Sequence, residues 1–244
     1  LLGKEKFKEG LRLYLERNDG KAATCEDFIN AVAQAADRDL SQFFLWYSQA
    51  GTPRVSVKSY WDPEAGTYTV VASQSTPATP GQTEKKPFLI PIAIGLVDST
   101  GKDIPLQLEN EKAPAGTTRV LELKDSENEW TFINIDEKPI PSLLREFSAP
   151  VILDYAYSHD ELAFLASHDS DPFNRWDAMN RLMLETLDEI CDAVETNGRI
   201  DIDSCLLSAF ERTLSDDRLA PGFRAISLTL PDEQTIAERR TLIN

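Results

Sequence analysis

The sequence predicts an α+β multidomain fold in three parts. Helices fill residues 1–52, an antiparallel β-sandwich fills 53–158, and α-helical hairpins of a bundle or solenoid fill 159–244. Three observations predict this. The apolar residues before Gly51 recur at helical spacing. From Arg54 the period falls to two, in short runs separated by turn residues. After Ser158 the helical period returns in longer stretches.

The first helix is read from Phe7, Leu11, Tyr14 and Leu15, which fall on one face and are expected to be buried. Asn18-Asp19-Gly20 ends it. Thr24 opens the second helix as its N-cap, with Asp27 three residues on as the shorter analogue of a capping-box acid; Phe28, Val32 and Ala35 or Ala36 continue its buried face. Asp39 caps a short aromatic helix through Phe43, Phe44, Trp46 and Tyr47. Gly51 suits the left-handed C′ position and Pro53 blocks continuation.

Val55 and Val57 begin the alternation, Asp62 to Gly66 form a turn, and Thr67 to Ala72 return. Thr76 to Pro87 is proline-rich and reads as a loop or sheet edge. Phe88 to Val97 is the strongest strand, followed by a turn at Asp98 to Gly101. Further strands are expected at Ile104–Leu108, Thr118–Leu123, Glu129–Ile135 and Val151–Tyr157. Their spacing and number indicate a sandwich immunoglobulin-like in size. Beyond it, Asp171-Pro172 starts a long helix ending near Asn197-Gly198, and Ile202–Leu214 and Pro221–Leu230 read as shorter helices. Thr235 to Asn244 is helix-like and charged.

The chain carries 41 acidic against 25 basic residues, a net charge of −16. Such a surface repels phosphates and anionic headgroups, so neither nucleic acid nor membrane is an expected partner. No apolar run approaches the ~20 residues of a membrane span. Three widely spaced cysteines, Cys25, Cys191 and Cys205, form no disulfide framework and fit a reducing, cytoplasmic setting. Leu1 falls in mid-pattern without an initiator Met or signal peptide, and the C-terminal stretch has no stop signal. The expectation is a longer parent chain.

Residues with catalytic chemistry are sparse. The two histidines, His159 and His168, are nine apart and would lie about 180° from each other on one helix. With Asp160, Glu161, Asp169 and Asp171 they read as solvated side chains at a helix start rather than as a metal site. His168-Asp169-Ser170 has the residue types of a triad, but adjacent residues do not converge as a triad must. Cys191 lies beside Glu189 and Asp192, which disfavour a thiolate. No glycine-rich phosphate loop and no calcium-binding loop are present near Asp192, Asp201 and Asp203. The aromatic run at Phe43–Tyr47 reads as the seam where helices meet the sandwich. No catalytic, cofactor-binding or metal residue is assigned.

Several segments resemble the bacterial aminopeptidase N family. Trp46-Tyr47-Ser48-Gln49-Ala50-Gly51-Thr52-Pro53 is similar to the family's junction between its thermolysin-like catalytic domain and a β-sandwich, and Asp19-Gly20-Lys21-Ala22-Ala23-Thr24 to a late catalytic-domain turn. Gln74 to Pro80, with Lys86-Pro87 and Ile90-Pro91, resembles its sandwich loop. Phe147 to Val151 resembles the last strand, and Phe173-Asn174-Arg175-Trp176-Asp177-Ala178 the entry to the C-terminal helical domain. The resemblance runs through the chain in order. It implies a zinc enzyme that removes N-terminal amino acids from peptides. In that family a His-Glu-x-x-His helix and a later Glu hold the metal, a Gly-x-Met-Glu-Asn segment binds the amine, and a Tyr stabilises the oxyanion. None of those motifs occurs here, so the zinc belongs to the parent enzyme and this chain is expected to be inactive alone, serving as interdomain scaffold. The alternative is a free-standing, non-catalytic interaction module of sandwich and helices. An incomplete solenoid is also expected to expose apolar surface and self-associate.

Overall fold

The computed structural model describes residues 1–240. Helices α1 (Lys4–Asn18) and α2 (Cys25–Ala36) form a hairpin. The start of α2 follows from Thr24. Its hydroxyl accepts the Asp27 N–H at 3.3 Å, and the Asp27 carboxylate accepts the Thr24 N–H at 2.9 Å. Such a cap is worth about 1 kcal/mol. Gly10 is what lets the helices close: a Cβ there would sit 2.7 Å from Val32 Cα. The α1 face expected to be buried is instead open, with Phe7, Leu11 and Leu15 exposed at 47, 38 and 55%. The spacing is helical, and Phe7 and Tyr14 meet Phe28 of α2 edge-on, with ring centroids 6.3 and 5.3 Å apart, but Gly10 makes the close approach and the rest of that face is left open. Asp39 does cap, accepting the Ser41 N–H at 2.8 Å. The helix proper, α3, covers only Leu45–Ser48. Gly51 has φ +101° but lies beyond the C′ position, because the helix ends earlier than its spacing predicts.

The sandwich holds seven strands: β1 (Arg54–Asp62), β2 (Thr67–Ser75), β3 (Ile90–Val97), β4 (Arg119–Leu123), β5 (Glu127–Ile133), β6 (Ile140–Leu143) and β7 (Ile152–Asp154). One sheet runs β5-β2-β1-β7 and the other β4-β3-β6. All pairings are antiparallel except β1 with β7, which is parallel with Arg54 opposite Ile152. Alternation sends Val55, Val57, Tyr68, Val70 and Ala72 inward to meet Ile90, Ile92, Ile94 and Leu96, all buried. The expected strand at Ile104–Leu108 is reduced to isolated bridges at Asp103 and Leu108, since Pro105 lacks the N–H that a continuous ladder needs. Conversely β6 carries Pro141 and was not expected. It is an edge strand, where a missing donor is tolerated.

β3 connects the two helical parts. Phe88, just before it, lies under Trp46, with ring centroids 4.6 Å apart. Val97, its last residue, is buried in the helical core of Leu162, Leu165, Met179, Leu182 and Met183. At about 3.3 Å per residue, the run from Phe88 to Val97 separates the two ends by roughly 30 Å. The parallel β1–β7 pair has the same consequence. The chain enters beside α3 at one end and leaves toward the later helices at the other.

Those helices are α4 (His159–His168), α5 (Pro172–Glu195), α6 (Ser204–Ser215), α7 (Pro221–Ser227) and α8 (Glu233–Arg239). Ser158 caps α4 in a box with Glu161, and Asp171 caps α5 ahead of Pro172. α8 is capped by Asp232 and starts at Glu233, two residues before the expected stretch; residues 241–244 of that stretch lie outside the described residues.

Candidate interdomain interface

The first junction is built on the aromatic run. Trp46 donates its indole N–H to the Leu89 carbonyl at 3.0 Å while its ring covers Phe88. Gln42 donates to the carbonyls of Lys124 at 2.6 Å and Pro87 at 3.1 Å. Gln49 donates to Lys86 O at 2.9 Å and accepts the Lys86 N–H at 2.8 Å, and Gln82 bonds Ser48 and Ala50 from the sandwich side. Arg38 pairs with Glu122 at 2.6 Å. Within the run, Trp46 therefore sits at the seam expected of it, while Phe43 and Phe44 pack back on Ile29, Val32 and Leu40 and Tyr47 is exposed.

The second junction is centred on Arg145, 2% exposed. Its guanidinium donates to Ser142 Oγ at 2.8 Å, Thr118 Oγ1 at 2.9 Å and both Asp103 oxygens at 3.2 and 2.6 Å. It reaches Asp169, between α4 and α5, at 3.3 Å. Ser170 Oγ donates to Asp103 at 2.6 Å, and the Asn174 amide donates to Ser142 Oγ and the Leu143 carbonyl, both at 2.8 Å. Asp171 spans the break: one oxygen caps α5 at Asn174 and the other accepts the Glu146 N–H at 3.0 Å. That turn is strained, with Leu144, Glu146 and Phe147 at φ +58°, +55° and +52°. Glycine is required at position 95, where a Cβ would lie 2.0 Å from Arg145 Cζ. Burial opposes ionisation of Asp103, yet Arg145 and Ser170 outweigh it and hold the carboxyl below its usual range. For Asp169 burial dominates the attraction of Arg145, and its pKa is raised. Nothing in the sequence pattern marks this node, because its members are scattered over 72 positions, from 103 to 174. The one local signal is a charge, Arg145, directly after the apolar pair Leu143-Leu144.

The residues considered for chemistry are not brought together. His159 and His168 are the first and last residues of α4, and each is half-buried rather than simply solvated. His159 is gripped by Asp203 at Nδ1 and by Glu185, 3.2 Å from Nε2. Burial opposes protonation of His159, but these carboxylates raise its pKa. His168 Nε2 takes a hydrogen bond from Arg212 at 3.1 Å, and burial with the nearby arginines depresses its pKa. His168, Asp169 and Ser170 point to three different partners, Arg212, Arg145 and Asp103, so the triad types never converge. All three cysteines are free, and the Cys205 thiol, donating to Asp160 at 3.1 Å, is pushed up to about 11.

The zinc implied by the resemblance finds no fit here. Both ring nitrogens of His159 are already engaged by carboxylates, and among the described residues no cluster of three His, Cys, Asp or Glu has ligand geometry. No step of any reaction is routed through a metal in this chain.

Residues 51–156 match a family model described as a domain of unknown function (DUF3458) with an Ig-like fold, and residues 159–243 one described as DUF3458_C, ARM repeats. Over its whole length the chain is 44% identical to aminopeptidase N of Escherichia coli (strain K12), of which it covers 28%. From end to end, the chain is similar to part of aminopeptidase N. Over 98% of its length it is 37% identical to aminopeptidase N of Haemophilus influenzae, covering 27% of that protein. The crystal structure of Legionella pneumophila aminopeptidase A in complex with aspartic acid superposes with a TM-score of 0.81 at 30% identity, covering 98% of this chain and 25% of that one. The chain thus spans little more than a quarter of these relatives.

Proposed function

We propose that this chain is the connecting segment of a cytoplasmic zinc aminopeptidase that hydrolyses N-terminal amino acids from peptides. Residues 1–52 complete its catalytic domain, 53–158 form a rigid sandwich spacer, and 159–244 begin its C-terminal helical domain. No catalytic or metal residue lies in the segment. Peptide and zinc are bound by the rest of the same chain, which is its principal partner.

The observation that carries this reading is β3, bonded at its start to the α3 seam and buried at its end in the later helices. A strand fixed at both ends transmits position rather than chemistry. The open apolar face of α1 supports a further packing partner on the catalytic side. The test is hydrolysis of an amino-acid arylamide by the 244-residue chain, with and without added zinc. The expected result is no turnover. Robust turnover abolished in both His159→Ala and His168→Ala would overturn the reading.

A further inference from the structure

A cleft of about 690 Å³ opens where the turn after β3 meets the α4–α5 junction and the α6–α7 loop. That volume lies in the range of small-molecule sites. Its electrostatics run against the chain's charge of −16. Arg175, 7% exposed, and the exposed Arg218 share one carboxylate, Asp216, at 3.2 and 2.8 Å. Two guanidinium groups on one acid leave a positive charge over. Arg175 spends Nε on the Ala166 carbonyl and Nη2 on Asp216, leaving Nη1 without a protein acceptor among the described residues. Lys102, from the turn after β3, also lines the cleft and forms no ion pair within 4 Å among the described residues. The neighbouring Asp98 accepts the N–H groups of Thr100 and Lys102 and the Thr100 hydroxyl on one oxygen, Oδ1; it stays ionised and offsets part of the Lys102 charge without pairing with its ammonium. Arg212 donates to the His168 ring and forms no ion pair among the described residues. The other acid of the lining, Asp169, is fully buried and turned to Arg145. Apolar area from Phe223, Leu219 and Pro172 lies beside the cations.

We propose that this cleft binds a small carboxylate carried on an apolar body, its anionic end between Arg175, Arg218 and Lys102 and its body against Phe223 and Leu219. Paired guanidinium donors suit a carboxylate's two oxygens, and a buried arginine is already oriented for them. The field is visible at His168, whose pKa is lowered by burial and then by Arg212, Arg175 and Arg218. A bound anion offsets those charges, so it shifts that pKa upward. Because the three walls come from the sandwich and the later helices, occupancy also ties these two parts together.

The test titrates the 244-residue chain at low salt with hexanoate, acetate and inorganic phosphate, following the His168 ring resonances. His159→Gln removes the only other imidazole signal. Hexanoate should saturate, raise the His168 pKa and bind about tenfold more tightly than acetate or phosphate, from its buried methylenes. The double variant Lys102→Ala/Arg218→Ala, at positions outside the core, should weaken hexanoate by about tenfold. No saturation, phosphate binding as tightly as hexanoate, or undiminished binding in the double variant would each overturn the proposal.

Discussion

Replacing Arg145 by methionine keeps the length and apolar stem of the side chain and removes its charge. What remains is Asp169, with its side chain at 0% exposure and its Oδ2 already without a hydrogen-bond partner. Asp103, at 15% exposure, can still reach water and Ser170. The penalty therefore falls on Asp169. Breaking a buried ion pair by removing one partner costs about 3–5 kcal/mol. At roughly 2–4 °C per kcal/mol for a chain of this size, Tm should fall by about 6–20 °C. The assay is urea unfolding followed by far-UV circular dichroism and tryptophan fluorescence. Trp176 reports on the helical part and Trp46, Trp61 and Trp130 on the sandwich and first seam. Because Arg145 ties those parts together, the two signals should separate in the variant. Adding Asp169→Asn removes the stranded charge and should restore about 2 kcal/mol. A loss below about 1 kcal/mol for Arg145→Met, or no recovery in the double variant, would refute the reasoning.

Gly95→Ala should mimic the loss of Arg145, since its Cβ occupies the guanidinium position; a loss of about 3 kcal/mol in urea unfolding is expected. The two histidines should give opposite pH dependences. The His159 pKa is raised on folding, so its contribution is complete below pH 6.5 and is lost as pH rises through the folded pKa; His159→Gln should abolish that decline in Tm above pH 6.5. The His168 pKa is lowered, so the folded state binds fewer protons and stability drops as pH falls below 6.5; His168→Gln should remove that drop. Val194, Ile202, Leu207, Leu214, Ile226 and Leu230 are all more than half exposed, and sedimentation should show concentration-dependent association that weakens in Leu207→Glu/Leu214→Glu.

Elements carried by local chemistry were legible in the sequence. The Thr24 box, the Asp171-Pro172 start and the alternation into β1 and β2 each rest on residues within a few positions of one another. Predictions failed where proline or tertiary context intervened. Pro105 broke an expected strand, while Pro141 concealed β6. Helical spacing placed Phe7, Leu11 and Leu15 on one face, but periodicity does not say whether that face is covered. The aromatic seam could be read because large rings announce burial. The Arg145 node could not, since its charges meet only after two sheets and two helices have packed. The cation-rich cleft was hidden for the same reason, inside an acidic chain.

The central claim is that this chain spaces and positions an active site held elsewhere in its parent. The most direct measurement is the coding sequence upstream of Leu1 in the source gene. The account predicts a His-Glu-x-x-His motif within a few hundred residues, followed by the third zinc ligand, a Glu, before the first helix described here. An upstream reading frame that lacks that motif, or an authentic start codon immediately before Leu1, would contradict it and favour a free-standing interaction module.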